Sequence, residues 1–510
     1  MARYAAVDIG SNSVRLLVAD VIPGSPWLTL AADREVTRLG ASVFETGSIS
    51  EDAIANVCAV LTRMQATYSK LDVIGVRVVA TAAVRDAGNA AEFVERASAA
   101  IGATVEVISG QEEARLIHEG VQCRWPQPNS RVLIIDVGGG SAEFIVSRNG
   151  ELDEGISRPL GAVRLTEVFL RHDPPQPIEL RQLDQFIEDK FAPVLRALDG
   201  LKFDRVIATS ATAAAIVSAV NHIDRSERDA ADRKKAKVGQ IRKLFKQLST
   251  SDLSMRRRVN GVGPRRAEII VAGAGVFLRV LESLDLDSMY YCSAGVRDGV
   301  IADLNARGVG RELTRLSRQQ IHVVEDMCRK YHVNIKYARH VAFLASELYD
   351  ALHPLHRLPP ETGKLLQAAS YLHDLGHFVS DTGHHKHSAY LVGNSDLPGF
   401  TAQERKLISL VCRYHRRSMP QNRHESFRNL PPEQRRVVTL LTPLMRLAVA
   451  LNSSQQHRVD EVSCNLTSAG ATLSIKGHGD LGLEYWAAER VAPLFSQCYE
   501  VPLTVERPRA

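Results

Sequence analysis

Short apolar stretches separated by glycine-rich and polar turns run through the first three hundred residues and predict alternating strands and helices. Residues 4–20 predict a strand, a tight turn and a second strand. Residues 51–69 have the apolar spacing of an amphipathic helix, with Ser50 as its candidate N-cap. Further strands and helices follow in alternation at Val76–Thr81, Ala90–Ile101, Val105–Ser109 and from Gln111 onward. This order is typical of a mixed α/β domain.

The first hairpin has a second copy further along the chain. Residues 6–18 and 134–146 align without a gap, and each copy reads as a strand that ends in an acid, a tight turn and another strand. The alignment pairs three residues of one copy with identical residues of the other: Asp8 with Asp136, Gly10 with Gly138 and Ser13 with Ser141. The repeat predicts two such hairpins that face each other across a cleft.

The pattern changes after about residue 304. Residues 311–457 have long helical periodicities with little alternation, which predicts an α-helical bundle. The last fifty or so residues return to alternation around one helix near residues 484–494, which predicts a small α+β region. Its strands are expected at Val462–Leu466, Ala471–Ile475 and Leu503–Val505. We therefore expect four domains, at residues 1–124, 125–304, 305–455 and 456–510.

Composition is that of an ordinary globular protein. Hydrophobic residues make up 45% and charged residues 24% of the 510, which excludes a disordered or low-complexity chain. No apolar run reaches the roughly 20 residues that a membrane-spanning helix needs, and no signal-peptide core follows the N-terminus. The seven cysteines stand singly, which argues against a disulfide framework or a zinc knuckle. We expect a cytoplasmic protein without a membrane partner.

Positive charge is concentrated in two segments. Residues 225–266 contain fourteen Lys and Arg against four acids, and residues 405–436 contain nine against two. Either segment alone can be a solvated helix face, whereas both together favour a polyanionic partner. Aromatic residues are only 6% and do not alternate with the basic ones, which argues against a protein that stacks single-stranded bases.

The repeated turns are suited to phosphate binding. Glycine allows positive φ and a close approach of backbone N–H groups to an anion, and serine hydroxyls add donors. An aspartate at the strand end can hold a cation or a water beside the phosphate. One such turn alone is most often a simple hairpin, but two matching copies favour a phosphate site. The candidate phosphate-binding residues are Gly10, Ser11, Asn12 and Ser13 in the first turn and Gly138, Gly139, Gly140 and Ser141 in the second.

Together these motifs resemble those of the Ppx/GppA phosphatase family, which comprises exopolyphosphatases and guanosine pentaphosphate phosphatases. Besides the two turns, the resemblance rests on Ala80–Arg85, Ser109–Arg115, Arg266 before Ile269 and Ile270, and Ser293–Gly299. It covers nearly the whole chain. It implies an α/β fold of two actin/Hsp70-like (ribonuclease H-like) domains around a cleft, followed by an α-helical HD-like domain and a small α+β C-terminal domain. The implied reaction is in-line hydrolysis of a phosphoanhydride bond.

The resemblance makes Glu113 the general base. An isolated glutamate in the first turn of a helix is more often a cap or a partner of the helix dipole. Here Glu112 precedes it, and because successive helix positions point in different directions, one acid can face the cleft while the other is structural. Glu112 is then the structural candidate. A carboxylate shielded beside phosphates has a raised pKa, which suits it to deprotonate an attacking water.

Phosphate charge also requires cations. Mg²⁺ binds one or two carboxylates together with phosphate oxygens and waters, so Asp136 is the first candidate ligand, with Asp8 and Glu143 behind it. Arg85 and Arg266 are candidates to clamp phosphate oxygens through forked hydrogen bonds, and a surface ion pair is the alternative for each.

A third turn departs from the family pattern. Where the family usually has a glycine-rich Ser-Gly-Thr turn, this chain has Thr209-Ser210-Ala211-Thr212. Ala211 restricts the turn, which leaves open how closely this loop approaches the substrate.

The helical region contains many histidines and resembles the HD phosphohydrolase pattern, in which a first histidine, a His-Asp pair and a later aspartate bind metal. His340 and the pair His373-Asp374 match the pattern, but the position of the later aspartate holds Asn452. Because an amide is a poorer ligand than a carboxylate, we expect a degenerate site.

The resemblance leaves several functions open. The leading one is an exopolyphosphatase that releases orthophosphate from inorganic polyphosphate, and the first alternative is a guanosine penta/tetraphosphate phosphatase that uses the same cleft. An ATP-dependent kinase or ATPase of the same fold is disfavoured by the third turn, and a non-enzymatic sensor by the retained acids Asp8, Glu113, Asp136 and Glu143. A homodimer is expected because dimers are the commonest homo-oligomers.

Overall fold

The computed structural model describes residues 2–22, 27–307, 314–467 and 470–507. The chain divides into two compact units, Met1–Ala306 and Arg307–Ala510. Within the described residues no helix is long and apolar enough to cross a membrane.

The first unit begins with a five-stranded sheet in the order β3-β2-β1-β4-β5. The strands β1–β5 are Ala2–Ile9, Val14–Val21, Leu28–Glu35, Gly75–Ala80 and Val105–Val107. The helices α1–α5 are Leu39–Thr46, Glu51–Tyr68, Ala82–Asp86, Ala90–Ile101 and Gly110–Arg124. The predicted hairpin and the helices α2 and α4 are confirmed, and the Ser50 side chain caps α2 by accepting a hydrogen bond from the Ala53 N–H.

A six-stranded sheet follows, in the order β10-β11-β9-β6-β7-β8. The strands β6–β11 are Arg131–Val137, Ala142–Arg148, Glu151–Arg158, Arg205–Thr209, Lys235–Lys237 and Ser288–Tyr291. The helices α6–α12 are Ala162–Phe169, Pro177–Ala197, Ser210–Val220, Val238–Thr250, Leu253–Arg256, Ile270–Ser283 and Val296–Arg307, and a short 3-10 helix covers Arg225–Ala231.

The sequence repeat corresponds to a repeated pattern of strand pairing in the two sheets. In the first sheet β1 pairs antiparallel with β2 and parallel with β4, and in the second β6 pairs antiparallel with β7 and parallel with β9. Parallel strands such as β4 and β9 return through crossover helices, so each half forms a packed α/β layer. The expectation of two related α/β lobes is confirmed.

Helices α5 and α12 pack against each other at the join of the two lobes. Residue Leu116 of α5 packs with the first sheet, whereas Ile117 of the same helix packs with the second. Residue Val300 of α12 belongs to the core of the first sheet. At Gly299 a Cβ atom would lie 1.7 Å from the Leu116 carbonyl oxygen, so only glycine allows this crossing. The packing of α12 therefore differs from the expected division at residues 125–304, which assigned it to the second lobe.

The second unit contains helices and a three-stranded sheet. The helices α13–α21 are Arg318–Lys330, Ile335–Ala351, His353–His356, Thr362–Leu372, His384–Asn394, Ala402–Tyr414, Glu425–Arg428, Pro432–Ala450 and Gly482–Tyr499, and a 3-10 helix covers Leu375–Phe378. The strands β12–β14 are Val459–Thr467, Gly470–Gly477 and Leu503–Glu506, close to the predicted strands.

One hydrophobic core runs through this unit. Leu344 of α14 and Leu441 of α20 belong to the same buried cluster as Val462 of β12 and Leu473 of β13. The strands thus share their core with the helical bundle, so residues 456–510 do not form the separate compact unit that the sequence suggested.

Candidate active site

The two glycine-rich turns meet face to face in the first unit. In the first turn the Gly10 N–H donates to the Ser13 carbonyl at 3.1 Å, and in the second the Gly138 N–H donates to the Ser141 carbonyl at 3.0 Å. The turns approach so closely that a Cβ on Gly139 would lie 3.0 Å from the Ser11 Cβ. The Ser11 hydroxyl is buried and has no hydrogen-bond partner among the described residues, so it remains available to a ligand.

A cavity of about 280 Å³ lies between the turns. The residues of both turns line it, together with Asp8, Asp136 and Glu113. Its cationic lining consists of Arg15, Arg34, Arg266 and Arg297. Acids and guanidinium groups thus converge on a space lined by backbone turns, which is what a phosphate ester with a bound cation requires.

Three carboxylates that line the cavity, those of Asp8, Asp136 and Glu113, have raised pKa values. Burial raises the pKa of Asp8 against the opposing effect of Arg15 and Arg297. Burial likewise raises the pKa of Asp136, although the Thr209 hydroxyl donates a hydrogen bond to it. Burial raises the pKa of Glu113 to about 7, with Arg85 opposing the shift and the charges of Asp8 and Asp136 adding to it. Several acids that share one enclosed space resist ionisation together.

Glu113 is in contact with Arg85. The Arg85 guanidinium donates to the Ile108 carbonyl at 2.7 Å and lies 3.4 Å from Glu113 Oε2. Arg85 is not among the residues that line the cavity, so its contact in this structure is with the carboxylate and not with the phosphate space. Arg266 does line the cavity, and its guanidinium donates to the Thr212 hydroxyl at 3.3 Å.

Glu112 points the opposite way into a buried ionic network. It accepts hydrogen bonds from Arg115 at 2.7 and 2.8 Å and from Arg77 at 3.1 Å, and both arginines also bind Asp303. Its backbone N–H is held by the Ser109 hydroxyl, the N-cap of α5. The two consecutive glutamates therefore face different surroundings, one in the ion network and one in the cavity.

Glu143 lies behind the cavity wall. Its side chain is fully buried, its Oε1 accepts a hydrogen bond from Ser157 at 2.8 Å, and its Oε2 has no partner among the described residues. Burial, with Glu113 and Asp136 adding to it, holds the pKa of Glu143 well above its usual value. An unpartnered carboxylate oxygen beside two further acids fits a divalent cation, which would satisfy the oxygen and offset the repulsion.

The third turn reaches the cavity despite its lack of glycine. Ser210 has φ +83°, a value that side chains rarely adopt, and its hydroxyl accepts hydrogen bonds from the N–H groups of Thr212 and Ala213. Ser210 and Ala211 both line the cavity. The positive φ thus falls on Ser210, and Ala211 does not keep the loop away from the cavity.

Sequence reasoning missed three arginines of the cavity: Arg15, Arg34 and Arg297. Arg15 lies opposite Asp8 in the hairpin register, and the gapless alignment of the repeat pairs it with Glu143. The charged residue at this matching position of both copies is the signal in the sequence that could have identified Arg15. Arg297 donates to the Leu16 carbonyl at 3.1 Å and belongs to the Ser293–Gly299 motif. Arg34 lies on the edge strand β3, whose polar sequence has no recognisable pattern.

A second pocket of about 180 Å³ adjoins the cavity. It shares Arg34, Ala211 and Arg266 with the cavity, and Arg225 and Arg265 also line it. We call it the arginine pocket. Arg265 lies 3.7 Å from Glu35, an exposed pair with little energetic weight. Part of the basic segment 225–266 thus surrounds a concave site beside the cavity.

In the second unit the residues of the expected HD-like site are not gathered into one ligand set. His340 donates from Nε2 to the Val459 carbonyl at 2.9 Å, and the Asn452 side-chain oxygen accepts from the His457 N–H at 3.2 Å. His373 Nε2 lies 3.4 Å from Asp374 Oδ2. Among the described residues, the group whose ligand atoms lie within 4.8 Å of one another is instead Asp374, His377 and His384.

Curated proteins related to this chain include enzymes from two bacteria. Guanosine-5'-triphosphate,3'-diphosphate pyrophosphatases of Aliivibrio fischeri (strain MJ11) and Vibrio vulnificus (strain YJ016) are each 27% identical to it. The alignments cover 93% and 92% of this chain and 90% and 91% of those proteins. The similarity therefore extends through both units.

Solved structures are similar to a part of this chain. The crystal structure of the Aquifex aeolicus member of the Ppx/GppA protein family is 31% identical, with a TM-score of 0.53 over 61% of this chain and 99% of that one. An exopolyphosphatase from Cytophaga hutchinsonii is 24% identical, with a TM-score of 0.55 over 59% of this chain and 97% of that one, and this likeness concerns the fold alone.

Two models of the Ppx/GppA phosphatase family match this chain. The model of Ppx/GppA phosphatase, domain III, matches residues 320–484. The model of the Ppx/GppA phosphatase family matches residues 17–307, which include Glu113, Asp136 and the second turn. Since this second match alone spans more than half of the chain, the protein belongs to the Ppx/GppA phosphatase family, whose members hydrolyse phosphoanhydride bonds.

Proposed function

We propose that the protein hydrolyses the terminal 5'-phosphate of guanosine-5'-triphosphate,3'-diphosphate and releases orthophosphate. The observation that carries this proposal is the pair of facing turns with Glu113 between them, in a chain similar over more than 90% of its length to enzymes with that substrate in their names. These relatives favour the guanosine nucleotide over inorganic polyphosphate, which the two basic segments of the sequence had favoured.

The two turns hold the terminal phosphate. Backbone N–H groups of glycine-rich turns form an anion-binding concavity, and the unpartnered Ser11 hydroxyl donates to a phosphate oxygen. Arg266 and Arg297 neutralise part of the negative charge. Held in this way, the terminal phosphorus presents one face to the wall that carries Glu113.

Glu113 acts as general base. It accepts a proton from a water molecule as the water oxygen attacks the terminal phosphorus, and the bond from phosphorus to the bridging oxygen breaks. The products are orthophosphate and the nucleotide with one phosphate fewer. A pKa near 7 suits this role, since about half of the base is then ionised at neutral pH and it is still basic enough to take the proton.

A divalent cation such as Mg²⁺ completes the charge balance. Asp8, Asp136 and Glu143 would hold it, and when bound it would neutralise charge on the phosphates. Burial is the main cause of the raised pKa values of these three acids, and neighbouring acids raise the pKa values of Asp136 and Glu143 further.

The rate should rise with pH through the pKa of Glu113. Because only the ionised carboxylate accepts a proton, we expect kcat/KM to increase about tenfold per pH unit below pH 7 and to level off above it. The profile is measured at saturating Mg²⁺ in buffers of constant ionic strength. A rate that falls as pH rises from 6 to 8 would contradict the role of Glu113.

Substrate preference decides between the two main functions. We expect kcat/KM for phosphate release to be higher with guanosine-5'-triphosphate,3'-diphosphate than with long-chain polyphosphate, both assayed with Mg²⁺. The reverse order would replace the proposed function by that of an exopolyphosphatase. The arginine pocket is the observation that favours an exopolyphosphatase, because a linear polymer can continue from the cavity into a neighbouring cationic pocket.

The arginine pocket supports recognition of the 3'-diphosphate. We expect Arg225→Ala to lower kcat/KM for the pentaphosphate by roughly tenfold, the loss of one charge-assisted contact, and to leave the weaker hydrolysis of GTP unchanged. GTP has the same 5'-triphosphate but no 3'-diphosphate. Arg181→Ala, an exposed position on α7 outside both pockets, is the matched control. An equal loss for both nucleotides would contradict this assignment.

A further inference from the structure

Five titratable side chains of the second unit surround a small space next to the end of α16. Asp374 and His377 follow α16, His384 begins α17, and His415 follows α18, while His373 is the residue directly after α16. The rings of His377 and His384 are stacked, with centroids 3.8 Å apart. The proposed phosphatase reaction uses none of these residues.

The orientation of the rings directs Nε2 lone pairs into this space. The Nδ1–H of His373 donates to the Ser370 carbonyl at 2.9 Å, and that of His415 donates to the Cys412 carbonyl at 2.7 Å. A carbonyl can only accept, so the proton of each ring lies on Nδ1 and its Nε2 is an acceptor. His377 hydrogen-bonds Asp381 from Nδ1 at 2.6 Å in the same way.

His384 has two alternatives. Its Nδ1 lies 3.3 Å from the Asp381 carbonyl oxygen, and Arg416 Nη1 lies 3.2 Å from Nδ1 and 3.4 Å from Nε2. When Nδ1–H donates to the carbonyl, Nε2 carries a lone pair as in the other rings; in the other tautomer Nε2–H donates to His415 Nε2 and Nδ1 accepts from Arg416. Arg416 is exposed, so its guanidinium can turn into solvent when a cation is present.

In the Nδ1–H tautomer of His384 the acceptors face one another. His384 Nε2 lies 3.2 Å from His415 Nε2, and the buried His373 Nε2 has no hydrogen-bond partner in the described chain and lies 3.4 Å from Asp374 Oδ2. Lone pairs brought together in a buried place repel unless a proton or a cation lies between them. The arrangement points to a cation as the missing partner.

The distances from Asp374 to the two histidines suit a shared metal ion, and the three ligand atoms lie within 4.8 Å of one another. Asp374 Oδ1 lies 3.6 Å from His377 Nε2 and 3.7 Å from His384 Nε2, too far for hydrogen bonds. Two ligands on a tetrahedral ion with bonds of about 2.0–2.1 Å are separated by about 3.4 Å. The contacts of Nδ1 with Asp381 match the usual support of metal-binding histidines, whose second nitrogen donates to a carboxylate or carbonyl.

We propose that Asp374, His377 and His384 bind a divalent transition-metal ion of the Zn²⁺ class. Two imidazoles and one carboxylate suit such an ion better than Mg²⁺, which prefers oxygen ligands. His377 is 42% exposed in its side chain, so the ion can enter from solvent. The set differs from the HD-like set expected from the sequence, since it lacks His340, His373 and Asn452.

Cobalt provides the test, because Co²⁺ bound by nitrogen in a tetrahedral site absorbs visible light strongly. The untagged full-length protein is titrated with Co²⁺ in excess Mg²⁺, which occupies the carboxylates of the first unit. We expect one equivalent to bind with a tetrahedral spectrum and to be displaced by Zn²⁺. Absence of this spectrum at millimolar Co²⁺ would overturn the proposal.

The variants separate the ligands from other histidines. His377→Ala and His384→Ala should each weaken Co²⁺ binding at least about tenfold. The control is His387→Ala on the same helix, which lies outside the cluster and should bind as the wild type does. His377 is partly exposed, so its variant should fold normally and keep its Mg²⁺-dependent phosphatase activity. Unchanged Co²⁺ affinity in His377→Ala would also overturn the proposal.

Discussion

Replacing Glu113 by glutamine should lower kcat by about 10²–10⁴ and leave substrate affinity nearly unchanged. Glutamine keeps the size of the side chain and can still accept a hydrogen bond, but it cannot take the proton of the attacking water. The variant also loses one of the acids that crowd the cavity, so its thermal stability should be equal to or higher than that of the wild type. Steady-state kinetics and equilibrium binding of the nucleotide, measured on one preparation, separate the two effects.

The pH profile provides the control for this variant. If Glu113 is the base, the rise of rate toward pH 7 disappears in Glu113→Gln, because the titrating group has been removed. Activity within a few-fold of the wild type, or an unchanged pH profile, would assign the base to another group. Glu112→Gln, one residue away, is the matched variant, and we expect it to lower the stability of the fold and not kcat.

Replacing Glu112 by glutamine should destabilise the fold by about 3–5 kcal/mol, because the change removes one of the carboxylates that neutralise two buried arginines. Glu112, Arg77, Arg115 and Asp303 are each 8% exposed or less, and Glu112 contacts both arginines. The free energy of unfolding of the first unit is measured by urea denaturation. The folded fraction should retain kcat within a few-fold, since Glu112 does not line the cavity.

This stabilisation should depend on pH with a definite sign. Burial by itself would raise the pKa of Glu112, but Arg115 and Arg77 hold it below its usual value. A carboxyl whose pKa is lower in the folded state stabilises the protein above its unfolded pKa of about 4.3, and this contribution is lost as pH falls through the folded pKa. The stability difference between wild type and variant should therefore shrink below about pH 4. A difference that grows on acidification would contradict the ion network.

The local elements of the first lobe were predictable because their signals are local. The strands of the hairpin show continuous apolar residues around a glycine turn, and Ser50 precedes α2 with its side chain free to cap the helix. Helix α4 begins and ends where its periodicity does, at Ala90 and Ile101. These features depend on neighbours within a few residues, so no knowledge of the remaining chain was needed.

Edge strands were not predictable in the same way. β3 and β8 lie at the edges of their sheets and have no fully buried residue, so they lack the alternation that marks a half-buried strand. Yet β3 supplies Arg34 to the cavity, and β8 supplies Ser157 to Glu143. These two residues join the site only because sheet pairing brings the edge strands next to β2 and β7.

The histidines of the second unit show the same limit. Spacing and resemblance selected His340, His373, Asp374 and Asn452, but helix packing turns His340 toward β12 and brings His384 to Asp374 instead. Which imidazoles share a space depends on how α14, α16, α17 and α18 pack. The residue pattern of a single helix does not determine how the helices pack against one another.

By itself, the sequence determined the two glycine-rich turns, the family and the positions of the acids along the chain. Each of these is identified by a short motif of neighbouring residues. The tertiary structure alone decided which groups act on one another. It turned Glu112 into the network of Arg77 and Arg115 and left Glu113 in the cavity with a pKa of about 7. Burial and the charges of distant residues set a pKa, and both arise only when remote segments of the chain come together.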